Sequence, residues 1–515
     1  MARLAVSTSV PPTHVRKTRQ LHRPAGDLGS PGESVLCGIE PACPVRDRAG
    51  LLPLRRAQRL YAGRSRPPGA EPAAAGGLGQ LRRAPARRDH RGGGDPEPPA
   101  PGPAHRAEPV ARDREFLVGG GLHGAGLDGL RRERLHPRLR RLPGSRPPMK
   151  FFDLGLAEDG LRSELDAAYA RVIDSGWTIL GAEMEAFERE FAAFCGAKHA
   201  VGVGNGLDAL VLALRAAGVG PGAEVIVPSH TFIATWLAVA AVGATIIPVE
   251  ADPRTYTLDP QAAAAAVTPK TAAILPVSLY GHPADMDALM ELAARHGLFV
   301  LEDAAQSHGA EHRGRRTGAL AHATAFSFYP TKNLGALGDA GAVTTDDPAL
   351  ADRLRRLRNY GSERKYVHEV VGVNSRLDEL QAAFLRVFLP RLEARNARRR
   401  EVAAAYARSL PTDIVTPPGE ADWARAVYHL YVVRSARRDA LQAKLAEAGV
   451  QTLIHYPTPC HLQPAFAHLG FRAGQFPLAE RLAAEVLSLP MWPGMTPADA
   501  EAVAAAIRRT EEGGS

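Results

Sequence analysis

From residue 149 onward, short apolar runs alternate with amphipathic segments, and this alternation restricts the chain to few fold classes. Seven runs have the length and composition of buried β-strands: 199–203, 224–228, 245–250, 272–280, 298–303, 323–329 and 341–345. Segments with helical periodicity lie between several of them, at 207–217, 233–242 and 284–296. Strands this apolar, followed by helices, are typical of parallel sheets covered on both faces. The sequence therefore predicts an α/β fold in which a mostly parallel, seven-stranded sheet lies between helices.

The pattern changes after the last predicted strand of this sheet. Helical periodicity runs from residue 375 to residue 410, and we expect Pro390 to kink that helix. Shorter candidates follow, namely strands at 428–433 and 452–456 and helices at 439–448 and 498–509. We therefore predict a large domain over residues 149–395 and a smaller C-terminal α+β domain over residues 396–515.

Residues 1–148 have a composition unlike the rest of the chain. They contain 26 Arg, one Lys and 21 of the 42 Pro, and their 27 basic and 13 acidic residues give a charge of +14. Such a segment has too little apolar surface to offset the entropy of ordering. The use of Arg with almost no Lys favours the interpretation that this segment is translated from GC-rich DNA upstream of the true start at Met149. The alternatives are a disordered arm and a targeting peptide. Residues 149–515 carry −6, so charge gives no support for nucleic-acid binding.

The cysteines and the hydropathy of the chain indicate in which cellular compartment the protein is expected. Four cysteines are scattered along the chain without metal-ligand spacing: Cys37, Cys43, Cys195 and Cys460. We therefore expect a reduced, cytoplasmic protein without a metal site. The uncharged segment 231–249 is nearly long enough to cross a bilayer. Because Gly243 and Pro248 divide it, we interpret it as a buried helix followed by a core strand and predict no membrane association.

Two chemically useful side chains follow neighbouring predicted strands. Asp303 ends the strand at 298–303, and Lys332 follows the strand at 323–329. The carboxyl ends of parallel strands are where open α/β sheets bind ligands, although an isolated Asp there is more often a solvated acid or a helix cap. Unlike the other five lysines of 149–515, Lys332 follows a core strand in a Gly-rich, weakly charged loop, where desolvation would lower its pKa. This pair suits pyridoxal phosphate (PLP), which needs an amine to bind it covalently and an acid to keep its ring nitrogen protonated.

A phosphate-binding turn is also present in the sequence. The run GVGNGLDALVLAL predicts a strand, a tight turn at Asn205 and Gly206, and a helix whose N-terminal amides face an anion. Ser327, at the end of a predicted strand, is a candidate second phosphate ligand. Either feature alone is common at strand ends, so the prediction depends on their combination with Asp303 and Lys332.

Six motifs in order then identify a resemblance: NGLDAL, PSHTFIATWLAV, LPVSLYGHPADMDAL, VLEDAAQSHGA, FSFYPTKNLGALGDAGA and NYGSERKYVHEVVGVNSRLDELQAAFL. Over the 367 residues from Met149 the chain resembles the DegT/DnrJ/StrS-type nucleotide-sugar aminotransferases, which have PLP fold type I. The resemblance implies a homodimer with shared active sites. The chain departs from the family pattern at Leu207, Thr331 and Ala340, where Thr, Gly and Gly are common. These departures affect local geometry only.

The resemblance implies roles for individual residues. Lys332 would hold PLP and move protons between carbon centres, and Asp303 would pair with the ring nitrogen. The other implied cofactor-binding residues are the amides of Gly206, Leu207 and Asp208, the Ser327 hydroxyl, stacking Phe232, Gln306 near the ring hydroxyl, and Asn374 from the neighbouring subunit. The implied substrate-binding residues are Tyr329, Arg376, His455 and Tyr456. The alternative for Phe232 is a position in the hydrophobic core. The alternative for His455 and Tyr456 is a purely structural role at the end of a strand.

The predicted reaction is amination at C-3 of a dTDP-3-keto-6-deoxyhexose with L-glutamate as donor, for amino-sugar biosynthesis. NYGSERKYVHEVVGVNSRLDELQ and TLIHYPTPCHLQPAF look closer to the 3-ketosugar branch than to the 4-ketosugar branch. A C-4 aminotransferase and a non-catalytic regulatory protein on this scaffold are the alternatives, and UDP is the alternative nucleotide. A related sugar dehydratase has His in place of the lysine, which Lys332 argues against.

Overall fold

The computed structural model describes residues 148–154, 156 and 160–512. The predicted extension, residues 1–148, lies outside the described residues except for residue 148. Seven strands form the main sheet: β1 His199–Val203, β2 Glu224–Pro228, β3 Thr245–Val249, β4 Thr271–Ile274, β5 Phe299–Asp303, β6 Ala323–Ser327 and β7 Gly341–Thr345. Their spatial order is β1-β7-β6-β5-β4-β2-β3. Only β7 runs against its neighbours, so the predicted mostly parallel sheet is confirmed.

Helices cover this sheet on both faces. The helices of the described chain are α1 Leu161–Ser175, α2 Ala182–Cys195, α3 Gly206–Ala216, α4 Ala234–Ala241, α5 Pro260–Ala265, α6 Met286–His296, α7 Pro348–Arg358, α8 Glu379–Phe388, α9 Leu392–Ser409, α10 Arg438–Glu447, α11 Pro477–Glu485 and α12 Pro497–Glu512. Val225 and Val227 pack in the core that contains α3, α4 and α7, whereas Ile226 packs in the core that contains α6. Successive strand residues point to opposite faces, which explains why Val225, Ile226 and Val227 are all apolar.

The carboxyl ends of β5 and β6 lie side by side. Asp303, the last residue of β5, pairs in register with Ala325 of β6. The loop after β6 carries Lys332, and the turn before α3 follows β1. The sheet therefore brings the two predicted reactive side chains to one edge, as the strand pattern predicts.

The C-terminal residues form a second, smaller sheet. Strands β8 Tyr431–Arg434 and β9 Val486–Leu489 are antiparallel. Their side chains share a core with α9, α10 and α12 in which Tyr406, Tyr431 and Ile507 are buried. This is the α+β arrangement expected for the smaller domain, while the boundary at residue 395 stays a prediction. Short strand pairs lie elsewhere, at Glu311–His312, Arg315–Arg316, Ser362–Arg364, Val367–His368 and Ala424–Arg425.

Two predicted strands are wrong over part or all of their length. The strand predicted at 272–280 ends at Ile274. Proline follows at position 276, and Leu279–Gly281 forms a 3₁₀ turn in which Tyr280 has φ +58°, a backbone conformation incompatible with a strand. The run 452–456 forms no strand and makes only an isolated bridge from Leu453 to Ser488. Apolar composition alone does not separate such buried loops from strands.

Two further boundaries shift for local reasons. The predicted strand at 428–433 starts only at Tyr431, because Tyr428 has φ +44°. The predicted helix at 375–410 starts at Glu379 and is divided by the 3₁₀ turn Leu389–Arg391, whose centre is Pro390. The predicted kink is confirmed because proline cannot donate the helical hydrogen bond.

The segment 231–249 also folds as expected. It forms the buried helix α4 and the core strand β3. Across the described part of the chain, no helix combines the length and apolar character needed to cross a membrane.

Candidate active site

Asp303 lies at the carboxyl end of β5 and is 6% exposed. One carboxylate oxygen accepts a hydrogen bond from the Thr235 hydroxyl at 3.0 Å, and the other accepts from the Ala305 amide at 3.2 Å. Burial raises the pKa of Asp303, while these two hydrogen bonds and the charge of Lys332 oppose that rise. The strand end thus holds a carboxylate whose oxygens are fixed in direction. Thr235 was not predicted from the sequence.

Lys332 lies in a closed loop after β6. Its amide donates to the Tyr329 carbonyl at 2.8 Å, and the Ala336 amide donates to the Phe328 carbonyl at 2.8 Å. Burial lowers the pKa of the Lys332 amine to about 8, while the carboxylate of Asp303 opposes that shift. An amine with this pKa is partly unprotonated at neutral pH and can act as a nucleophile or a base. The lowered pKa agrees with the expectation from its Gly-rich, weakly charged loop.

The next residue, Asn333, anchors this loop from within the protein. Its amide group donates to Asn396 Oδ1 at 2.8 Å and to the Val427 carbonyl at 3.0 Å. Asn396 in turn donates to the His308 carbonyl at 2.8 Å. All these side chains are buried. The Lys332 loop is therefore tied to α9 and to the segment before β8, which sequence reasoning did not predict.

The turn between β1 and α3 has the geometry of an anion site. Asn205 Oδ1 accepts from the Asp208 amide at 2.9 Å, so that predicted phosphate donor is engaged as a helix cap. The amides of Gly206 and Leu207 have no hydrogen-bond partner within the described residues. A Cβ on Gly206 would lie 2.6 Å from the Ser327 Cβ, so only glycine lets the end of β6 approach the helix N-terminus. Two free amides and a hydroxyl thus converge, as a phosphate group requires.

Ser375 supports this turn and was not predicted. Its hydroxyl donates to the Asp208 carboxylate at 2.6 Å and accepts from the Gly204 amide at 3.0 Å. The preceding residue, Asn374, is exposed and makes a bridge to Asn359. Arg376 donates to Asn359 Oδ1 at 3.0 Å and lies 5.5 Å from the Tyr360 ring. Asn374 and Arg376 thus belong to a surface next to the turn, without a hydrogen bond to Asp303 or Lys332 among the described residues.

Aromatic and polar groups close the other side of the site. Phe232, at the start of α4, is 51% exposed, and its ring centroid lies 5.2 Å from that of Tyr456. Gln306 is buried and donates to the Tyr456 hydroxyl at 3.0 Å. His455 hydrogen-bonds Ser488 at 2.8 Å through Nδ1. The structure thus brings Phe232, Gln306, His455 and Tyr456 together.

Electrostatic coupling places this group near the reactive pair. The charge of Lys332 contributes to the lowered pKa of His455, which is about 4 and is due mainly to burial. Burial raises the pKa of Tyr456, and the negative charge of Asp303 raises it further. The hydrogen bond from Gln306 opposes this rise. Tyr329, three residues before Lys332, is 46% exposed. His455 and Tyr456 therefore lie close enough to Lys332 and Asp303 to be affected by their charges, and Tyr329 lies in the same loop as Lys332, whose amide donates to its carbonyl.

The residues present fit PLP. A carboxylate and a low-pKa amine suit the two ends of its aromatic ring, an exposed phenyl face at Phe232 suits stacking, and the Gly206 turn suits its phosphate. No group of three or more His, Cys, Asp or Glu side chains suited to a metal ion is found among the described residues.

A family model for the DegT/DnrJ/EryC1/StrS aminotransferase family matches residues 160–508. The chain belongs to this family. Its aminotransferases depend on PLP, as the Asp303–Lys332 pair suggested. A structurally similar enzyme from Bacillus subtilis was crystallised with the cofactor in its amine form, at 30% identity and a TM-score of 0.66, covering 72% of this chain and 86% of that one.

Two relatives show how extensive the similarity is. The chain is 59% identical over 360 residues to the erythromycin biosynthesis sensory transduction protein EryC1 of Saccharopolyspora erythraea, covering 70% of this chain and 98% of that protein. It is 56% identical over 367 residues to the dTDP-3-amino-3,4,6-trideoxy-α-D-glucose transaminase of Streptomyces venezuelae, covering 71% and 97%. The crystal structure of S. venezuelae DesV superposes with a TM-score of 0.69, at 56% identity, covering 71% of this chain and 98% of that one.

Proposed function

We propose that this protein transfers the amino group of L-glutamate to C-3 of a dTDP-linked 3-keto-6-deoxyhexose, using PLP held at Lys332. The observation that carries the proposal is the pair of Asp303 and Lys332 at the carboxyl ends of the adjacent strands β5 and β6, where burial lowers the pKa of the Lys332 amine. The extensive identity with a transaminase named for a 3-amino sugar supports C-3 as the position.

The chain's own groups divide the work. PLP supplies an electron-accepting ring when bound. Asp303, oriented by Thr235 and the Ala305 amide, would pair with the ring nitrogen and favour its protonated form. The Lys332 amine, with a pKa near 8, would remove a proton from the donor's α-carbon in the half-reaction with glutamate and would deliver a proton to the sugar carbon in the half-reaction with the keto sugar. The amides of Gly206 and Leu207 with the Ser327 hydroxyl would hold the phosphate.

Tyr329, His455 and Tyr456 orient the sugar. C-3 and C-4 of a hexose are adjacent, so selecting one requires the ring to be turned relative to Lys332. Hydrogen bonds from Tyr329, His455 and Tyr456 supply that selection, since each misplaced polar contact costs roughly 1–3 kcal/mol. The electrostatic influence of Lys332 on His455 and of Asp303 on Tyr456 supports a role for these two side chains in orienting the sugar.

The protein would act in the cytoplasm as a homodimer in which Asn374 reaches the phosphate of the neighbouring subunit's site. Mixing Asn374→Ala subunits with Lys332→Ala subunits should restore part of the activity, because one of the two sites in each mixed dimer is complete. Subunit exchange is verified by native mass spectrometry of an isotope-labelled partner. Verified exchange without recovered activity would remove Asn374 from the shared site.

The activity would reside in residues 149–515, divided near residue 395 into the two domains. The family match at 160–508 supports this, and a chain starting at Met149 should retain the full turnover number. Equal active-site concentrations, measured by bound cofactor, make the comparison valid. A loss of turnover at equal cofactor content would assign residues 1–148 a role.

A regulatory protein on the same scaffold is the second candidate, because one relative is named a sensory transduction protein. A regulator has no need of an Asp303–Lys332 pair with this geometry, so we favour the enzyme. The deciding experiment offers the purified protein 3-keto and 4-keto dTDP sugars with glutamate and locates the new amine by NMR. Exclusive amination at C-4 would overturn the position, and no change in cofactor absorbance on adding glutamate would favour the regulator.

A further inference from the structure

We propose that Tyr280 and His230 are positioning residues that hold the His455–Tyr456 pair in place for the sugar, without acting on the amino donor. The inference rests on the proposed function, because it assigns these two residues to sugar binding. Neither was predicted as a site residue from the sequence. The argument depends on hydrogen bonds that join three separate segments of the chain.

Tyr280 lies in the 3₁₀ turn between β4 and α6 and is 6% exposed. Its hydroxyl donates to the carbonyl of His455. His230 Nε2, in the loop after β2, lies 2.8 Å from the same hydroxyl oxygen. One phenol thus connects the end of a main-sheet strand to the segment that carries His455 and Tyr456.

The direction of these hydrogen bonds follows from counting protons. A tyrosine hydroxyl has one proton, and the His455 carbonyl can only accept. His230 must therefore donate to Tyr280 from Nε2, which requires the tautomer protonated at that nitrogen. Burial lowers the pKa of His230 to about 4, so its ring is neutral at pH 7. The hydrogen bonds thus run from His230 to Tyr280 and from Tyr280 to the His455 carbonyl, and all the groups in this chain of hydrogen bonds are uncharged.

Tyr280 also reaches the second member of the pair through its main chain. Its amide donates to Gln306 Oε1 at 2.7 Å, and Gln306 donates to the Tyr456 hydroxyl at 3.0 Å. Side chain and backbone of one residue therefore position His455 and Tyr456 separately. Loss of the hydroxyl removes the first connection and leaves the second.

The turn itself is held rigidly. Tyr280 has φ +58°, which a non-glycine residue adopts only when its surroundings compel it. A Cβ on the following Gly281 would lie 2.7 Å from the His429 amide nitrogen, so the turn packs directly on the backbone before β8. The Leu430 amide donates to the Tyr280 carbonyl at 3.3 Å. The position of the Tyr280 ring is therefore fixed by its own turn, independently of the segment with His455 and Tyr456.

The hydroxyl makes no hydrogen bond to Asp303 or Lys332 in the described structure. Its removal should leave the reaction with glutamate intact and weaken only the reaction with the sugar. The two half-reactions are separable, since glutamate alone changes the cofactor absorbance and the keto sugar reverses that change. This separation distinguishes positioning of the sugar-binding pair from a general structural role.

The test uses the holoenzyme with Tyr280→Phe. We expect the KM for the keto sugar to rise roughly 5- to 30-fold, as the loss of one hydrogen bond to a buried partner implies. The rate with glutamate alone should stay within about two-fold of wild type. Calorimetric affinity for the amino-sugar nucleotide should fall by the same factor as KM rises. Tyr406→Phe is the matched control, because its buried hydroxyl donates to the Pro490 carbonyl at 2.9 Å, in the C-terminal core.

A second pair of variants tests the same connection from the other end. His230→Leu removes the donor and should raise the KM for the sugar, whereas His230→Gln, whose amide can donate, should recover part of the loss. Equal effects of Tyr280→Phe on both half-reactions, or no effect on either, would overturn the inference. Wild-type protein that responds to glutamate but aminates no keto sugar would overturn the proposed function and this inference with it.

Discussion

The protonation of Lys332 gives the most direct test of the reactive pair. Burial lowers the pKa of this amine from its ordinary value of 10.5 to about 8. At pH 7 an amine of pKa 8 is unprotonated in about one molecule in ten, and an amine of pKa 10.5 in about one in 3,000. The structure therefore predicts an increase of about 300-fold in reactive amine at neutral pH. The increase follows from desolvation, which disfavours the charged form.

Asp303→Asn is the informative perturbation. The Asp303 carboxylate raises the pKa of Lys332 against the effect of burial. Replacing it with a neutral amide should therefore move the pKa of Lys332 below 8, so that more amine is unprotonated at pH 7. The same substitution should reduce catalytic activity, because a neutral partner no longer favours a protonated ring nitrogen. A more reactive lysine in a less active enzyme is the expected combination.

Pulse labelling of the cofactor-free protein with an amine-selective reagent measures this pKa. Labelling is quantified peptide by peptide by mass spectrometry between pH 6 and 11, with the exposed Lys150 as the internal reference for the reagent. Limited access to Lys332 changes the extent of labelling but not its midpoint. A midpoint at pH 10 or above would refute the desolvation argument, and an upward shift in Asp303→Asn would refute the assignment of Asp303 as its charged neighbour.

Two further substitutions test the phosphate turn and the supporting core. Gly206→Ala places a Cβ 2.6 Å from that of Ser327 and should weaken PLP binding at least ten-fold in a cofactor titration. Gly220→Ala is its control, since a Cβ there would lie 3.6 Å from the nearest atom, and equal weakening in both would contradict the turn's role. Glu188→Ala should lower the free energy of unfolding by about 3–5 kcal/mol, because it leaves the buried Arg358, which donates to Glu188 at 2.5 Å, without its carboxylate. Urea denaturation measures this cost, and a loss below about 1 kcal/mol would show that water replaces the partner.

The main sheet could be predicted from the sequence because its strands are buried on both faces. Each appears as a continuous apolar run, several are followed by a helical segment, and six of the seven strands agree with the prediction within two residues at both ends. The run at 272–280 is the exception. Its second half is as apolar as a strand, but it is a buried turn whose shape depends on Pro276, on the φ of Tyr280 and on packing against residues 427–430. Such packing between distant segments leaves no local periodicity.

The same distinction separates the site residues that were predictable from those that were not. Asp303 and Lys332 stand out because each follows a core strand, and strand ends converge at one edge of a parallel sheet. Asn396 and Ser375 act from more than 60 residues away, through hydrogen bonds to Asn333 and to Asp208. Their residue types are common in helices and loops, so only tertiary structure connects them to the site.

Burial also explains why the site contains imidazoles without added charge. His308, His429 and His455 all have lowered pKa values, due first to burial and then to the positive charge of Lys332. These rings are therefore neutral at pH 7 and do not compete with Lys332 for the negative charge of Asp303. Around Lys332 the structure thus gives one amine and the carboxylate of Asp303 among neutral imidazoles. In such surroundings the attraction between Lys332 and Asp303 is weakly screened, so a change at either residue must alter the pKa of the other.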